Sequence, residues 1–337
     1  MKVGKESFKI ESDVRITSTY TIAGPMEGNG NFGSYYDIVL ENDEWGCDSH
    51  EKCETKMHKE AIKGVMEKAK ATDESVDMLF GGDLLNQIIA TSYSARDFDI
   101  SYVGLYGACS TFGLSLAVGA MLIGGNYIRN GIVCTSSHYA TAERQYRYPL
   151  ELGTQPTPSS QWTVTGAGAS FLEASSDRTY PKITGVTIGR VIDMGINDAN
   201  NMGAAMAPSC ADTIMQHLSD FGRDAEYYDM IISGDLGKYG RQVLHYLCKQ
   251  NGYELANVLN DAGAMIYNDS QKKSVQGGSG AGCSSIVFNS YFYKEMMRGN
   301  FKKILLVPTG ALLSKIETLQ GETIPAVSHA IAIEMDD

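Results

Sequence analysis

No two cysteines of this chain form a CxxC pair. The seven cysteines (positions 47, 53, 109, 134, 210, 248 and 283) are scattered, and the closest two, Cys47 and Cys53, are separated by five residues. That spacing gives no zinc or dithiol motif, and the odd number argues for a reducing compartment over a disulfide framework. Positive charge is short as well: 28 Lys and Arg stand against 40 Asp and Glu, a net charge of -12. A phosphate backbone needs a basic face, so no nucleic-acid partner is expected. An acidic chain can still hold an anionic ligand locally, through an arginine cluster or helix N-termini. Proline is scarce at 8 residues, whereas glycine reaches 36. The glycines sit beside apolar runs, as in tight turns and close packing, not as in disorder. Met1 to Arg15 is mixed and charged, with no visible signal peptide. Ile100 to Ile128 carries no charged side chain, but Gly107, Ser110, Thr111 and Gly113 interrupt it. It divides into a short strand and a helix, where a membrane span would need about 20 apolar residues in a row.

What the chain does have is a core and a repeat. Apolar residues make up 43% and charged residues 20% of 337 positions, which suits two domains or one fold of two halves. Asp77-Met-Leu-Phe-Gly-Gly-Asp-Leu84 matches Asp229-Met-Ile-Ile-Ser-Gly-Asp-Leu236, and Gly107-Ala-Cys-Ser-Thr111 matches Ala281-Gly-Cys-Ser-Ser285. Weaker matches link Val133-Cys-Thr135 to Val307-Pro-Thr309 and Val164–Ala169 to Ala326–Ile331. The halves divide at 1–175 and 176–337. Strands are predicted at Val76–Phe80, Tyr102–Tyr106, Gly131–Thr135 and Thr163–Leu172. Ser110–Gly124 has no polar stripe and reads as a buried helix, while Glu54–Ala71 and Asp212–Asp220 read as outer amphipathic helices. The alternation implies a mixed sheet with helices on its faces.

Cys109 stands where a buried strand turns into a buried helix, near the positive end of the helix dipole, a setting that favours a thiolate. With the duplicated halves, this layout resembles the thiolase and ketoacyl synthase fold, an α/β fold of five layers, α-β-α-β-α, from two duplicated halves. The resemblance implies an acyl-carrying cysteine at Cys109. It also implies a histidine after the first matched strand of the second half and an asparagine before its buried helix. Here those loops read Ile232-Ser-Gly-Asp-Leu-Gly237 and Gly277-Gly-Ser-Gly-Ala-Gly-Cys283, with Gly234 and Gly280 at the two places. The final turn of thiolases carries a further cysteine, and Ser328 and His329 occupy that neighbourhood. A condensing enzyme with Cys109 as nucleophile would have to recruit His329, or His138, as base. Otherwise Cys109 is a small residue lining a cavity, and Cys283 is packing.

Longer motifs narrow the resemblance. Ala23-Gly-Pro25, Gly82-Asp-Leu-Leu-Asn-Gln87, Leu105–Thr111, Thr135-Ser-Ser-His-Tyr-Ala-Thr-Ala-Glu-Arg-Gln-Tyr-Arg-Tyr-Pro149, Gly189–Asp193, Met202–Pro208 and Thr309–Ser314 closely resemble the stage V sporulation protein AD family. The resemblance implies a thiolase-like protein that binds dipicolinic acid, or its calcium chelate, for uptake into the forming spore. It implies small membrane proteins as partners, a place on the spore's inner membrane without spanning it, and a homodimer. No cofactor is implied beyond calcium entering with the ligand. A flat pyridine dicarboxylate needs a slot and donors for its carboxylates. The expected donors are the backbone N–H groups of Cys109, Ser110 and Thr111, with His138, and with Arg144 or Arg147 as a bidentate clamp. The alternative for the arginines is a surface pair with Glu143. Asp83 is the preferred acidic contact for calcium, with Asn86 beside it; its alternative is a helix cap. Arg190 and Asp193 are further candidates.

Overall fold

The structure is a computed structural model in which residues 1–146, 157–271 and 274–336 are described. Side chains from 143 to 146 are outside that description. Ten strands form the path of the main sheet: β1 (Val14–Ala23), β2 (Leu79–Gly82), β3 (Tyr102–Gly104), β4 (Asn130–Ser137), β5 (Gly166–Ala174), β6 (Lys182–Ile188), β7 (Met230–Ser233), β8 (Leu259–Asp261), β9 (Lys303–Val307) and β10 (Ala326–Glu334). Their spatial order is β8-β7-β9-β10-β6-β1-β5-β4-β2-β3. In the first five strands of the chain, β2 pairs in parallel with β3 and β4, and β4-β5-β1 runs antiparallel. In the second five, β7 pairs in parallel with β8 and β9, and β9-β10-β6 runs antiparallel. The strand order and the sense of every pairing therefore repeat. The two arrays meet between β6 and β1 through the pair Lys182 and Arg15.

Helices complete the five layers. α1 (His50–Ala69) begins at Ser49, whose hydroxyl accepts from the Lys52 amide at 3.3 Å. Its apolar side, Cys53, Met57, Ala61 and Val65, recurs at fourfold spacing and covers the outer face of the first array. α2 (Ile89–Ala95) packs beside it. α3 (Thr111–Gly124) is apolar all round, because it lies between the two arrays: Phe112, Leu116, Ala117 and Ala120 share one core with Val133 and Leu172 of the first and Ile331 and Ile333 of the second. α4 (Tyr139–Tyr146) follows β4. α5 (Met202–Phe221) and α6 (Gly237–Gln250) pack together over the outer face of the second array. α7 (Ala262–Ile266) and α8 (Ala281–Val287) follow, α8 lying with α3 in the central layer, and short helices at Pro25–Gly28, Tyr293–Met297 and Lys315–Leu319 lie outside this set.

The apolar run from residue 100 to 128 is a three-residue strand and a 14-residue helix. Among the described residues, no helix is long and apolar enough to cross a membrane. Several boundaries differ from sequence expectation: the strand expected at Tyr102–Tyr106 ends at Gly104, and the one expected at Thr163–Leu172 runs from Gly166 to Ala174. The first strand of the Asp77 motif begins at Leu79, not Val76, because a turn occupies Asp73–Ser75. The helix expected at Asp212–Asp220 starts ten residues earlier, at Met202, and carries Pro208 in its interior. Proline is a poor helix residue, but Ala205, Met206 and Ala207 are buried here, and packing outweighs local preference.

Candidate functional site

The Cys109 turn is closed by its own hydroxyls. Thr111 Oγ1 donates to the Ala108 carbonyl at 2.6 Å and accepts from the Gly107 amide at 3.0 Å. Ser110 Oγ donates to the Gly107 carbonyl at 2.7 Å. Ala108 is held in the left-handed region at φ 51°, a conformation costing a non-glycine residue roughly 1–2 kcal/mol. This bend sets Cys109 at the head of α3, packed in a small apolar cluster with Leu84, Ala108, Ala142, Ala281 and Leu312. The amides of Ser110 and Thr111 are committed to the carbonyls of Gly107 and Ala108. They are not available as the carboxylate cradle expected from the sequence, which leaves the Cys109 amide.

The polar neighbours of the thiol come from the second half. Cys109 Sγ lies 3.9 Å from Ser279 Oγ, and Ser279 Oγ donates to Asp235 Oδ2 at 2.9 Å. The Gly280 amide donates to the same oxygen at 2.9 Å. Asp235 follows β7 and is buried. Burial pushes its carboxyl up to about 7, against the stabilising contacts from Cys109 and Gly280. Burial, and then the Asp235 carboxylate, push the Cys109 thiol well above its ordinary range. The thiolate expected from the helix dipole is thereby corrected: desolvation and a facing carboxylate outweigh a dipole worth about 1 kcal/mol. Ser279 belongs to a short parallel pair, Gly278–Ser279 with Trp162–Thr163, and Gln161 Nε2 donates to the Asp235 carbonyl. Tyr139 and Trp162 stack in parallel beside this pair, with centroids 3.8 Å apart. Asp235 Oδ1, Gln161 Oε1 and His329 Nδ1 are buried without a hydrogen-bond partner among the described residues.

Gly234 and Gly280 are fixed by their surroundings. A Cβ on Gly234 would stand 2.9 Å from Pro308 Cα. Gly280 has φ +113°, and a Cβ there would stand 2.7 Å from Ser137 Oγ. Neither position has room for a histidine or an asparagine without moving backbone or core.

The remaining sequence candidates disperse. Asp83 is buried and accepts from the Leu85 amide (2.8 Å), the Thr91 amide (2.7 Å) and Thr91 Oγ1 (2.7 Å). Those bonds hold the start of α2, the capping alternative, and not an open calcium contact. Asn86 is exposed and lines a separate cavity of about 360 Å³ with Leu85, Gln87, Ile88 and Tyr106. His138 is buried in the outer layer: Nε2 donates to the Asp43 carbonyl at 2.8 Å, and Nδ1 accepts from the Ala140 amide at 3.2 Å. Both ring nitrogens are used, so it is no ligand donor. Burial lowers its basicity further. Glu143 and Arg144 fall in α4, but their side chains lie outside the described residues, and Arg147 lies outside them altogether. Arg190 is exposed and bound bidentately by Asp212 at 2.7 and 3.0 Å. Asp193 accepts from Thr323 Oγ1 at 2.6 Å. Ser328 and His329 sit within β10, not in a turn. Ser328 is bonded to Thr309 at 2.8 Å, while His329 shares the inward face with Ile331 and Ile333. Burial lowers His329 to about 4, so it is a neutral imidazole.

Asp235 and Ser279 are the site residues that sequence reading missed. In the sequence Asp235 is legible only as the repeat partner of Asp83, and the structure uses the two differently. The signal was its position next to Gly234, in the loop where the resemblance to ketoacyl synthases implies a histidine.

Comparison with known proteins follows this geometry. The family profile described as stage V sporulation protein AD matches residues 4–334. Stage V sporulation protein AD of Bacillus subtilis (strain 168) is 38% identical over 331 residues, covering 98% of this chain and 97% of that one. Among solved structures, OleA of Xanthomonas campestris with bound lauric acid and lauroyl-CoA is similar, with a TM-score of 0.62, 13% identity and coverage of 96% and 99%. So is 3-oxoacyl-acyl-carrier-protein synthase III of Aquifex aeolicus, with a TM-score of 0.55, 15% identity and coverage of 95% and 99%. At such identities the likeness is one of fold, and the fold is that of thiolase-like condensing enzymes.

Proposed function

This chain belongs to the stage V sporulation protein AD family, a family of sporulation proteins, and from that premise we propose that it binds dipicolinic acid, or its calcium chelate, in the Cys109 cleft without catalysing a condensation. One observation carries this reading: the backbone at Gly234 and Gly280 excludes the histidine and asparagine that condensation would need. Those groups would stabilise the thioester oxygen and the enolate. In their absence the thiol faces a carboxylate, which opposes formation of the thiolate nucleophile.

In this reading the surroundings of Cys109 serve as the ligand slot. The apolar side chains of Leu84, Ala142, Ala281 and Leu312 surround Cys109, and the Tyr139–Trp162 stack offers a flat aromatic face near Ser279. A planar pyridine fits such a lining better than a flexible acyl chain held for attack. In this reading the chain works at the spore inner membrane as a peripheral homodimer, with small membrane proteins that carry the ligand across. Arg144 and Arg147 stand as the proposed carboxylate clamp.

Isothermal titration of the full chain with dipicolinate, with and without calcium, tests the reading. Saturable binding is expected in at least one condition; no binding in either rejects it. Intact-mass measurement after incubation with acyl-CoA tests the alternative, a condensing enzyme that uses Cys109. An acyl adduct on Cys109 would favour that alternative, and an unmodified chain is expected.

A further inference from the structure

Asp235 is an unusual neighbour for a dicarboxylate. Its side chain is buried, and Oδ2 is filled by the Ser279 hydroxyl and the Gly280 amide. Oδ1 has no hydrogen-bond partner by distance and angle among the described residues, and the Cys109 thiol is the side chain that contacts the carboxylate. The titratable groups facing it from the elements packed around it are acidic: the Cys109 thiol at the head of α3, the Asp261 carboxylate at the end of β8 and the Cys283 thiol of α8. Beyond Cys283 lies Glu27, bonded to the Tyr267 hydroxyl and the Thr165 amide. The imidazole on the inward face of β10, His329, is neutral. A ligand carboxylate placed here would meet a buried like charge, which opposes binding unless one partner is neutralised.

We propose that the cleft takes up its dianionic ligand together with one proton, carried on Asp235 Oδ1. The proton comes from solvent and converts the orphaned acceptor into an O–H donor aimed at a ligand carboxylate. A carboxylic acid held neutral in this way is an effective hydrogen-bond donor. The inference rests on the dipicolinate reading above and adds to it the protonation state in which the site binds. Other groups are less suited to the role. Asp261 already accepts from Ser233 Oγ and from the amides of Leu236, Gly237 and Ala264, so its oxygens are occupied. Cys109 keeps its proton throughout the neutral range, and His329 stays deprotonated there. Glu27 is pushed up to about 7 by burial, as Asp235 is, so a variant is needed to assign the proton.

The sign follows from linkage. When the bound state holds a proton that the free state has lost, affinity falls as pH rises. The expected change is about tenfold in Kd per pH unit above the carboxyl's own range. The experiment is titration calorimetry of the full chain with calcium-free dipicolinate between about pH 6 and about pH 8.5, repeated in phosphate and in Tris. The two buffers differ in ionisation heat, so the difference in observed heat counts protons. Uptake of about one proton per ligand at the alkaline end is expected. Asp235→Asn supplies a permanent N–H donor and should bind with no pH slope. A wild-type Kd unchanged across the range, or no proton uptake, overturns the proposal while leaving dipicolinate binding intact. A slope that persists in Asp235→Asn also overturns it, by moving the proton elsewhere. No binding of calcium-free dipicolinate at any pH also overturns the proposal; the underlying reading falls with it only if the calcium chelate fails to bind as well. The wild-type proton count does not depend on the variant folding.

Discussion

A cysteine at the head of a buried helix is poised as a nucleophile only if its thiolate is favoured. Cys109 has the right place and the wrong company. Burial and the Asp235 carboxylate both favour the protonated thiol, and the protonated thiol attacks neither thioesters nor alkylating agents. The residue type and its position were readable in the sequence; its electrostatics were not. Asp235 reaches Ser279 only when segments 44 residues apart are folded together. A comparable fold-dependent effect removed His138, whose nitrogens are spent on Asp43 and Ala140. The predicted consequence is slow chemistry at Cys109. Iodoacetamide treatment of the native chain, followed by peptide mass spectrometry over time, should label the half-buried Cys47 at least about tenfold faster than Cys109. Equal rates would mean an accessible thiolate at Cys109.

Elements carry their own pattern, and here the sequence was more informative. The uniform apolarity of α3 announced a helix buried on all sides, and the matched strands announced the repeated arrays. Helix starts were less legible, because several are capped from a distance. No side chain of Leu236 caps α6. Instead Asp261, at the end of the neighbouring β8, accepts from the Leu236 and Gly237 amides at 2.8 and 2.9 Å. The same carboxylate is the local N-cap of α7 through the Ala264 amide, at 2.7 Å. One side chain thus satisfies the first turns of two helices bordering the cleft. Asp261→Ala should cost about 3 kcal/mol in urea unfolding, since it leaves several buried amides and the Ser233 hydroxyl without an acceptor. A loss below about 0.5 kcal/mol would assign those amides to other partners.

The molecule as a whole explains why a small cleft can be held so closely. The first half contributes Cys109 and its hydroxyl-closed turn, and the second contributes Asp235, Ser279 and Gly280. The halves are fastened where β6 meets β1. There the fully buried Arg15 donates to the Ser175 and Tyr180 carbonyls at 3.1 and 2.8 Å and pairs with Asp336 at 2.5 Å. A scaffold shared with condensing enzymes therefore sets the Cys109 turn of one half against Asp235, Ser279 and Gly280 of the other, and the proposed ligand slot lies between them. The most direct test of this account is a crystal structure of the chain grown with dipicolinate. The account predicts the pyridine ring seated between the Cys109 turn and the Ser279–Asp235 pair, with the Cys109 sulfur unmodified. A ring bound outside that cleft, or an acyl group on Cys109, would contradict it.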